Sequence, residues 1–493
     1  MILLLALAAQ AVAPPDVARP RDWAATTRAD AEAFHARILA DHPGPVNRAD
    51  PGFRAREAKA YATLLARAAK VRDFAGYHWA MRGYVASFDD GHVQFGTLKG
   101  SPLLTARWPG FLTGLDPRGK QVVMTRADDA PVPLGAELVA CDGLAADPLL
   151  ARNVGAFAGR WTMLATRRSR AGRLFVDTGN PFITRPATCR FTVQGKPQTV
   201  TLTWGPLADP EWTQRLADTT RAAPIQTGAR VLADGTRWFS IASFDSNPEG
   251  PVAKALNPMI AGMRADRAAL LAAPRIVFDL RGNGGGSSQW SHDMATILWG
   301  EAAVAKVDAV PTYVEWRASA NNVATMRGYV TQWEASKDVS PDALAWARRN
   351  ADGLAAAQAK GQALWRGDDG SDDAPKTAPA PVTGPTRPVY VLTDGSCASA
   401  CLDAVDLWTA LGAIPIGQET SGDTLYMEVG GGPLPSGLAS VGVPMKVYRG
   451  RARGSNQPVR PRHPYTGDMR DTAALERWVA ALPEGEARRW PID

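Results

Sequence analysis

Three short stretches of this 493-residue chain hold the residue types that acyl-transfer chemistry requires: a hydroxyl, a base and a nest of backbone N–H groups. Ser399 follows an apolar run, Val389-Tyr390-Val391-Leu392-Thr393, and a turn, Asp394-Gly395-Ser396. It precedes a helical pattern through Ala404, Val405, Leu407, Trp408 and Leu411. A strand, a tight turn and a Ser at the mouth of a helix expose a hydroxyl beside the free N–H groups and positive dipole end of that helix. A Ser at a helix start is more often a simple N-cap, so this stretch alone decides nothing. The second stretch is a buried-strand pattern, Arg275-Ile276-Val277-Phe278-Asp279-Leu280, followed by Arg281-Gly282-Asn283-Gly284-Gly285-Gly286 and a helix beginning near Ser287-Ser288. Consecutive glycines permit positive φ, close backbone approach and N–H groups aimed into one concavity. No Lys-Ser/Thr follows and the spacing is not GxGxxG, which excludes the common phosphate and dinucleotide loops and leaves an oxyanion hole. The third stretch, Phe88-Asp89-Asp90-Gly91-His92-Val93-Gln94-Phe95, presents His92 at an Asp-Gly turn. A lone His is usually a surface or core residue. Of the six His, however, His35, His78 and His292 sit in helical patterns, His42 precedes Pro43 and His463 lies in a Pro/Arg loop, so His92 is the candidate base.

The elements that must position these groups read as a layered α/β core. Arg237–Phe244 is a strand, Val252–Leu271 an amphipathic crossover, and Arg275–Leu280 the next strand; a further strand, Ala413–Ile416, ends in Gly417-Gln418-Glu419-Thr420-Ser421-Gly422. The expected organisation is a segment 1–20 with a leader, an N-terminal helical domain 21–98 carrying His92, a β-rich module 99–226, a core 227–460 and a C-terminal tail or helix 461–493. Within the core, 300–385 is an insertion with helices over Ala318–Ser336 and Pro341–Trp365 and a Pro-rich linker Gly367–Pro388; it is either a lid or a solvated decoration. In the β-rich module, Pro133-Leu134-Gly135-Ala136-Glu137-Leu138-Val139-Ala140-Cys141-Asp142-Gly143 looks PDZ-like, with a plain β-hairpin as the alternative.

The three chemical stretches together resemble the C-terminal-processing/tricorn-like serine peptidase family (tail-specific proteases), in its tricorn-like or retinoid-binding-protein-like branch. The resemblance rests on Val277–Gly286, on Ser399-Ala400, on Gly417–Gly422 and on Asp90-Gly91-His92, and spans most of residues 25–460. It implies a ClpP/crotonase-like layered β-α core with an N-terminal helical segment and a PDZ-like β-rich module. It also implies a serine endopeptidase acting on protein or peptide substrates without a cofactor or metal. Ser399 would be the nucleophile, with Ser396 its competitor, and His92 the general base; Ala400 with Gly284 or Gly285 would hold the oxyanion. Two departures stand out. Where the Ser–Lys branch has its Lys, this chain has Asp423, and the region Gly454–Pro461 lacks the acid of the tricorn-like branch. Asp423, Glu428 or a polar non-acid is then expected to orient the imidazole, while Asp279 reads as structural. A catalytically weakened peptide- or lipophile-binding relative, and a crotonase-like acyl-transfer enzyme, are the alternative classes.

Composition narrows the partners. A formal charge of +6 and a pI near 9.2 are mild at this length, and no basic–aromatic patch appears, so nucleic acid is not an expected partner. Met1–Ala13 is an apolar leader with Ala9, Ala11 and Ala13 spaced for cleavage; it is too short to span a bilayer and lacks a basic start. A misplaced start or a plain hydrophobic tail are the alternatives to export to the periplasm or exterior. Four Cys suit an oxidising compartment, as the pairs Cys141/Cys189 and Cys397/Cys401 or as buried thiols. Nothing in the sequence indicates an oligomeric state.

Overall fold

The computed structural model describes residues 21–220, 225–247, 249–308, 312–335, 339, 341–367 and 382–483. The leader Met1–Ala13 and most of the Gly367–Pro388 linker lie outside the described residues.

The core is a sheet with strands Gly228–Val231, Arg237–Ser240, Ile276–Asp279, Val389–Thr393, Ile414–Gly417 and His463–Pro464 side by side in that order. The first pair is antiparallel and the rest are parallel. A parallel sheet covered on both faces needs strands that are apolar throughout, and Ile276–Asp279 and Val389–Thr393 are buried at every position. Alternation then divides each strand between two layers. Phe239, Ile276, Phe278, Val389 and Val391 pack against helices Pro251–Ala265, Gln289–Trp299 and Ala400–Ala410, where Trp408 lies 4.3 Å from the Phe278 ring centroid. Trp238, Val277, Tyr390 and Leu392 face the other way, onto Met469, Leu475 and Val479. The segment expected as a C-terminal tail or helix supplies an edge strand and the helix Thr472–Ala480 to this core. Asp279 and Arg281 form a fully buried pair, with guanidinium nitrogens 2.8 and 2.6 Å from the two carboxylate oxygens. Arg281 also donates to the carbonyl of Met469, so this ion pair ties the glycine loop to the C-terminal layer.

A second, antiparallel sheet brings distant segments together. Gln94–Thr97 pairs with Ala439–Arg449, which also pairs with Tyr313–Arg317 and Tyr426–Pro433; Leu364–Gly367 completes the edge. Because Gln94–Thr97 follows His92 directly, this pairing fixes where the imidazole loop can lie. Helices Trp23–Asp41, Phe53–Ala68 and Phe74–Ala86 cover the sheet, and Phe34, Ile38, Tyr77, Met81 and Tyr84 pack with Leu438, Val441 and Val443. The insertion contributes helices Ala320–Glu334 and Pro341–Ala359. The second helix ends before Trp365, earlier than expected. Gly361 takes a left-handed φ of 68°, and Leu364–Gly367 pairs instead with Tyr313–Arg317, setting Trp365 opposite Trp316.

The module between the N-terminal helices and the core is an antiparallel sheet, in the order Phe111–Leu115, Gln121–Arg126, Glu137–Cys141, Thr188–Val193 and Lys196–Thr201. Its interior is built on Phe111, Phe175 and Phe191. Cys141 and Cys189 face each other in register and are joined by a disulfide.

Candidate active site

Ser399 sits between strand Val389–Thr393 and helix Ala400–Ala410 with φ 57° and ψ −128°, a backbone conformation that a residue with a Cβ adopts only under constraint. Its hydroxyl makes no capping bond to the helix, so the plain N-cap reading of this Ser does not apply. Three constraints, one within the segment and two from distant ones, hold the strained turn. Cys397 and Cys401 are disulfide-bonded across it. Gly285 presses against it: a Cβ on that glycine would stand 2.7 Å from both the Ala398 oxygen and the Ser399 Cβ. Finally, the Ser399 N–H donates to Asp423 Oδ2 at 2.5 Å. Ser396 lies one turn earlier, its N–H bonded to Asp394 Oδ1 at 2.9 Å, in an ordinary turn rather than at the helix mouth.

The N–H of Gly285, a candidate oxyanion donor, is already committed to Asn283 Oδ1 at 2.8 Å. No described residue takes the N–H of Gly284 or of Ala400; Ala400 follows Ser399 directly, and Gly284 precedes the glycine that packs on its turn. Glycine is required at 285 on two counts, the contact with the Ser399 turn and a φ of 101°.

His92 is buried in the loop that enters strand Gln94–Thr97. Asp90 folds back on it in an Asx turn: the His92 N–H donates to Asp90 Oδ1 at 2.8 Å, and His92 Nδ1 stands 3.4 Å from that oxygen. At that distance the ring contact is an electrostatic pairing more than a well-formed hydrogen bond. Burial pulls the imidazole pKa down, but Asp90, through hydrogen bonding and charge, and then Asp423 outweigh it and hold His92 above its ordinary value. Arg160 opposes them. Asp90 is pushed up by burial, yet hydrogen bonding and charge from His92 keep it below the usual carboxylate range. Its second oxygen accepts from Thr424 Oγ1 at 2.9 Å, which pins the base loop to the segment carrying Asp423.

Asp423 therefore touches both halves of the site, by a hydrogen bond to Ser399 and by charge to His92. Its segment is clasped from several directions. Ser421 N–H donates to Cys397 O, Asn456 N–H donates to Asp423 O at 2.7 Å, and Arg160 Nη1 donates to Gly422 O at 2.9 Å. Asn456 also bonds Asp89 O through its side chain, so the region without an acid acts as a polar strut. Glu428 takes a different course. It pairs with Lys446 at 3.3 Å, and Lys446 in turn lies over the Trp316 ring, toward the insertion and not toward His92. Asp90 was not singled out from the sequence as the orienting acid; the signal was an acid two residues before the candidate base.

Residues 239–439 match the model of peptidase family S41. The likeness to tail-specific proteases read from the sequence is thus supported over that segment, within a chain of mixed α/β fold. The crystal structure of mature CPAF superposes with a TM-score of 0.58 at 13% identity, covering 92% of this chain and 95% of that one. The structure of mature CPAF complexed with lactacystin gives the same score and identity, with 93% and 97% covered. At such identity these matches speak for the fold alone. No curated protein matches the sequence. His92 and Asp90 fall outside the matched segment.

Proposed function

We propose that this protein is a serine endopeptidase that cleaves peptide bonds in protein or peptide substrates through an acyl-enzyme on Ser399. With Asp90 beside Nδ1, the imidazole tautomer favoured is the one protonated there, which leaves Nε2 to accept the Ser399 proton. The Ser399 oxygen attacks the carbonyl carbon, and negative charge gathers on the carbonyl oxygen, facing the N–H groups of Gly284 and Ala400. His92 then gives its proton to the leaving amine, and water repeats the sequence to free the acid. Asp423 keeps the nucleophile turn in place and adds negative charge that favours the imidazolium.

The observation that carries this reading is the strained, uncapped Ser399 backbone, anchored by Asp423, whose charge also acts on the base. Labelling with a fluorophosphonate probe, followed by peptide mapping, tests it. Modification of Ser399 that vanishes in Ser399→Ala and is suppressed in His92→Ala supports a peptidase; no labelling under any condition favours the binding-relative reading. Two disulfides further support export to an oxidising compartment, and the antiparallel module is compatible with a PDZ-like role in taking up an extended chain.

A further inference from the structure

A cavity of about 340 Å³ lies in the β-rich module and shares no residue with the candidate active site. Its walls come from the 3-10 turn Ala171–Phe175, the loop 176–186 and Trp204, just before strand Gly205–Leu207. Leu174, Val176, Ile183, Pro186 and Trp204 make the lining mainly apolar, and the exposed residues Pro181 and Arg185 mark its mouth. The loop is held in shape from outside. Asp177 exchanges two backbone hydrogen bonds with Arg107, each 2.8 Å, and Thr178 Oγ1 accepts from Trp79 Nε1 of helix Phe74–Ala86 at 3.2 Å. Gly179, at a φ of 77°, seats against the same helix, where a Cβ on it would stand 3.1 Å from Ala75 Cβ.

Two polar features define what the cavity accepts. Asn180 lines it and is only 9% exposed. Its Oδ1 accepts the Phe182 N–H at 3.0 Å, which fixes the orientation of the amide and leaves Nδ2 as a buried donor with no partner among the described residues. A buried donor without an acceptor is costly, so the cavity calls for an oxygen. Arg185 does not supply a free charge, because its Nη1 pairs with Asp177 Oδ2 at 2.8 Å while its guanidinium lies 5.3 Å over the Trp204 ring. A carboxylate at this mouth would reach Arg185 only in competition with Asp177, so a neutral carbonyl suits the site better than an anion. The Trp204 indole N–H is committed to the Pro186 carbonyl at 3.1 Å, and its ring offers the cavity apolar surface only. Water would meet the Asn180 donor but leave the apolar walls wet; a group with an apolar body and a neutral acceptor answers both. The volume is at the small end for ligand cavities, enough for a large side chain and its peptide groups but short for a lipid chain.

We infer that this cavity is a docking site, apart from the active site, for an apolar side chain of the polypeptide substrate, whose adjoining backbone carbonyl accepts a hydrogen bond from Asn180 Nδ2. The inference rests on the peptidase reading only in calling that polypeptide a substrate. Because a turn and a loop form the walls, the site receives a side chain rather than adding a strand, and its balanced mouth favours an internal segment over a chain end with a free carboxylate. Walls already in place keep the ordering cost of docking low.

The test measures anisotropy of fluorescein-labelled hexapeptides, amidated at the C-terminus and carrying a central Leu-Leu or Ser-Ser pair, on full-length Ser399→Ala. We expect the Leu peptide to bind tighter by about tenfold or more. In that background Asn180→Asp keeps the acceptor for the Phe182 N–H and loses only the donor; it should weaken the Leu peptide by about threefold to tenfold. Ile183→Trp, which fills the cavity, should abolish the Leu preference. With Ser399 intact, both substitutions should leave circular dichroism and fluorophosphonate labelling of Ser399 unchanged. Equal binding of the two peptides, or a Leu preference untouched by both substitutions, would overturn the inference, and hydrolysis by wild type would then leave the peptidase reading standing. A cavity-dependent Leu preference with no labelling or hydrolysis by wild type would keep the docking site and reject the peptidase reading. Binding of the free-acid peptide but not of the amide would overturn the internal-segment assignment. Laurate that displaces the Leu peptide from the cavity and binds more tightly would replace the polypeptide by a lipophile and overturn the inference too.

Discussion

Replacing Asp90 by Asn tests the orientation of the base more sharply than deleting the base itself. The substitution keeps the shape of the side chain, and its amide oxygen can still accept the His92 N–H that Asp90 Oδ1 accepts at 2.8 Å. The negative charge is lost. Of the influences on His92, burial and Arg160 both lower its pKa, and with Asp90 neutral only Asp423 raises it. The imidazole should therefore move from above its ordinary value to below it. Neutral imidazole is the active form, so activity rises as pH passes its pKa; the acid limb of kcat/KM should start above about 6.5 in wild type and fall below it in the variant.

The size of the effect follows from the contact. A fully hydrogen-bonded triad carboxylate changed to its amide loses about 10⁴ in rate. Here the ring nitrogen is 3.4 Å from the oxygen, a weaker pairing, so a loss of about 10²–10³ in kcat/KM is expected, or about 3–4 kcal/mol at 1.36 kcal/mol per decade. The assay is a pH series of kcat/KM on a quenched peptide, with circular dichroism to confirm folding. A folded variant within threefold of wild type, or one whose acid limb stays in place, would refute the assignment of Asp90 as the orienting acid.

Three further outcomes follow from the nucleophile turn. Ser399→Gly should be as inactive as Ser399→Ala yet more stable by about 1 kcal/mol in urea unfolding, since glycine accepts a φ of 57° without the Cβ penalty. Gly285→Ala should abolish probe labelling of Ser399 and lower stability by about 2 kcal/mol or more, because the new methyl falls 2.7 Å from Ser399 Cβ and Ala398 O. Activity should be lost in step with reduction of Cys397–Cys401, which encloses the nucleophile turn, and not with reduction of Cys141–Cys189, which lies in the core of the β-rich module. Mapping free thiols by alkylation against remaining activity would check this; activity retained with Cys397 and Cys401 both alkylated would contradict it.

What could be read from the chain was mostly local. The run Val389–Thr393, the turn after it and the helix beginning at Ala400 are contiguous, so their apolar pattern was enough to place Ser399 at a helix mouth. The fully apolar strands and their alternating crossovers likewise pointed to a layered α/β core. Features that depend on pairing between distant segments were beyond such reading. Glu428 was a fair candidate for orienting the ring until the register of Tyr426–Pro433 against Ala439–Arg449 put its neighbour Met427 opposite Lys446, and its own positive φ of 56° bent the strand there. Gly285 is the case where local chemistry was overlooked: an Asn two positions before a glycine can take its N–H in an Asx turn, and Asn283 does so.

Asp423 shows how a departure from a family pattern can be resolved by what the position must do. The Lys that the dyad branch carries there serves as a base; a lysine ammonium at 423 could do nothing for the Ser399 N–H, which needs an acceptor. In this chain the side chain at 423 accepts that N–H at 2.5 Å, and so helps to hold a left-handed nucleophile that costs about 1–3 kcal/mol to maintain. The proton-accepting task then has to come from elsewhere, and His92 lies within electrostatic reach, kept basic by Asp90 and by Asp423 itself. A Lys at 423 would lose the backbone acceptor and set a cation beside a base that these carboxylates hold basic. Asp423→Lys should accordingly fail to restore a Ser–Lys dyad, even with His92 replaced by Ala. Hydrolysis by that double variant above the Ser399→Ala background would show that the dyad geometry survives here and that His92 is dispensable.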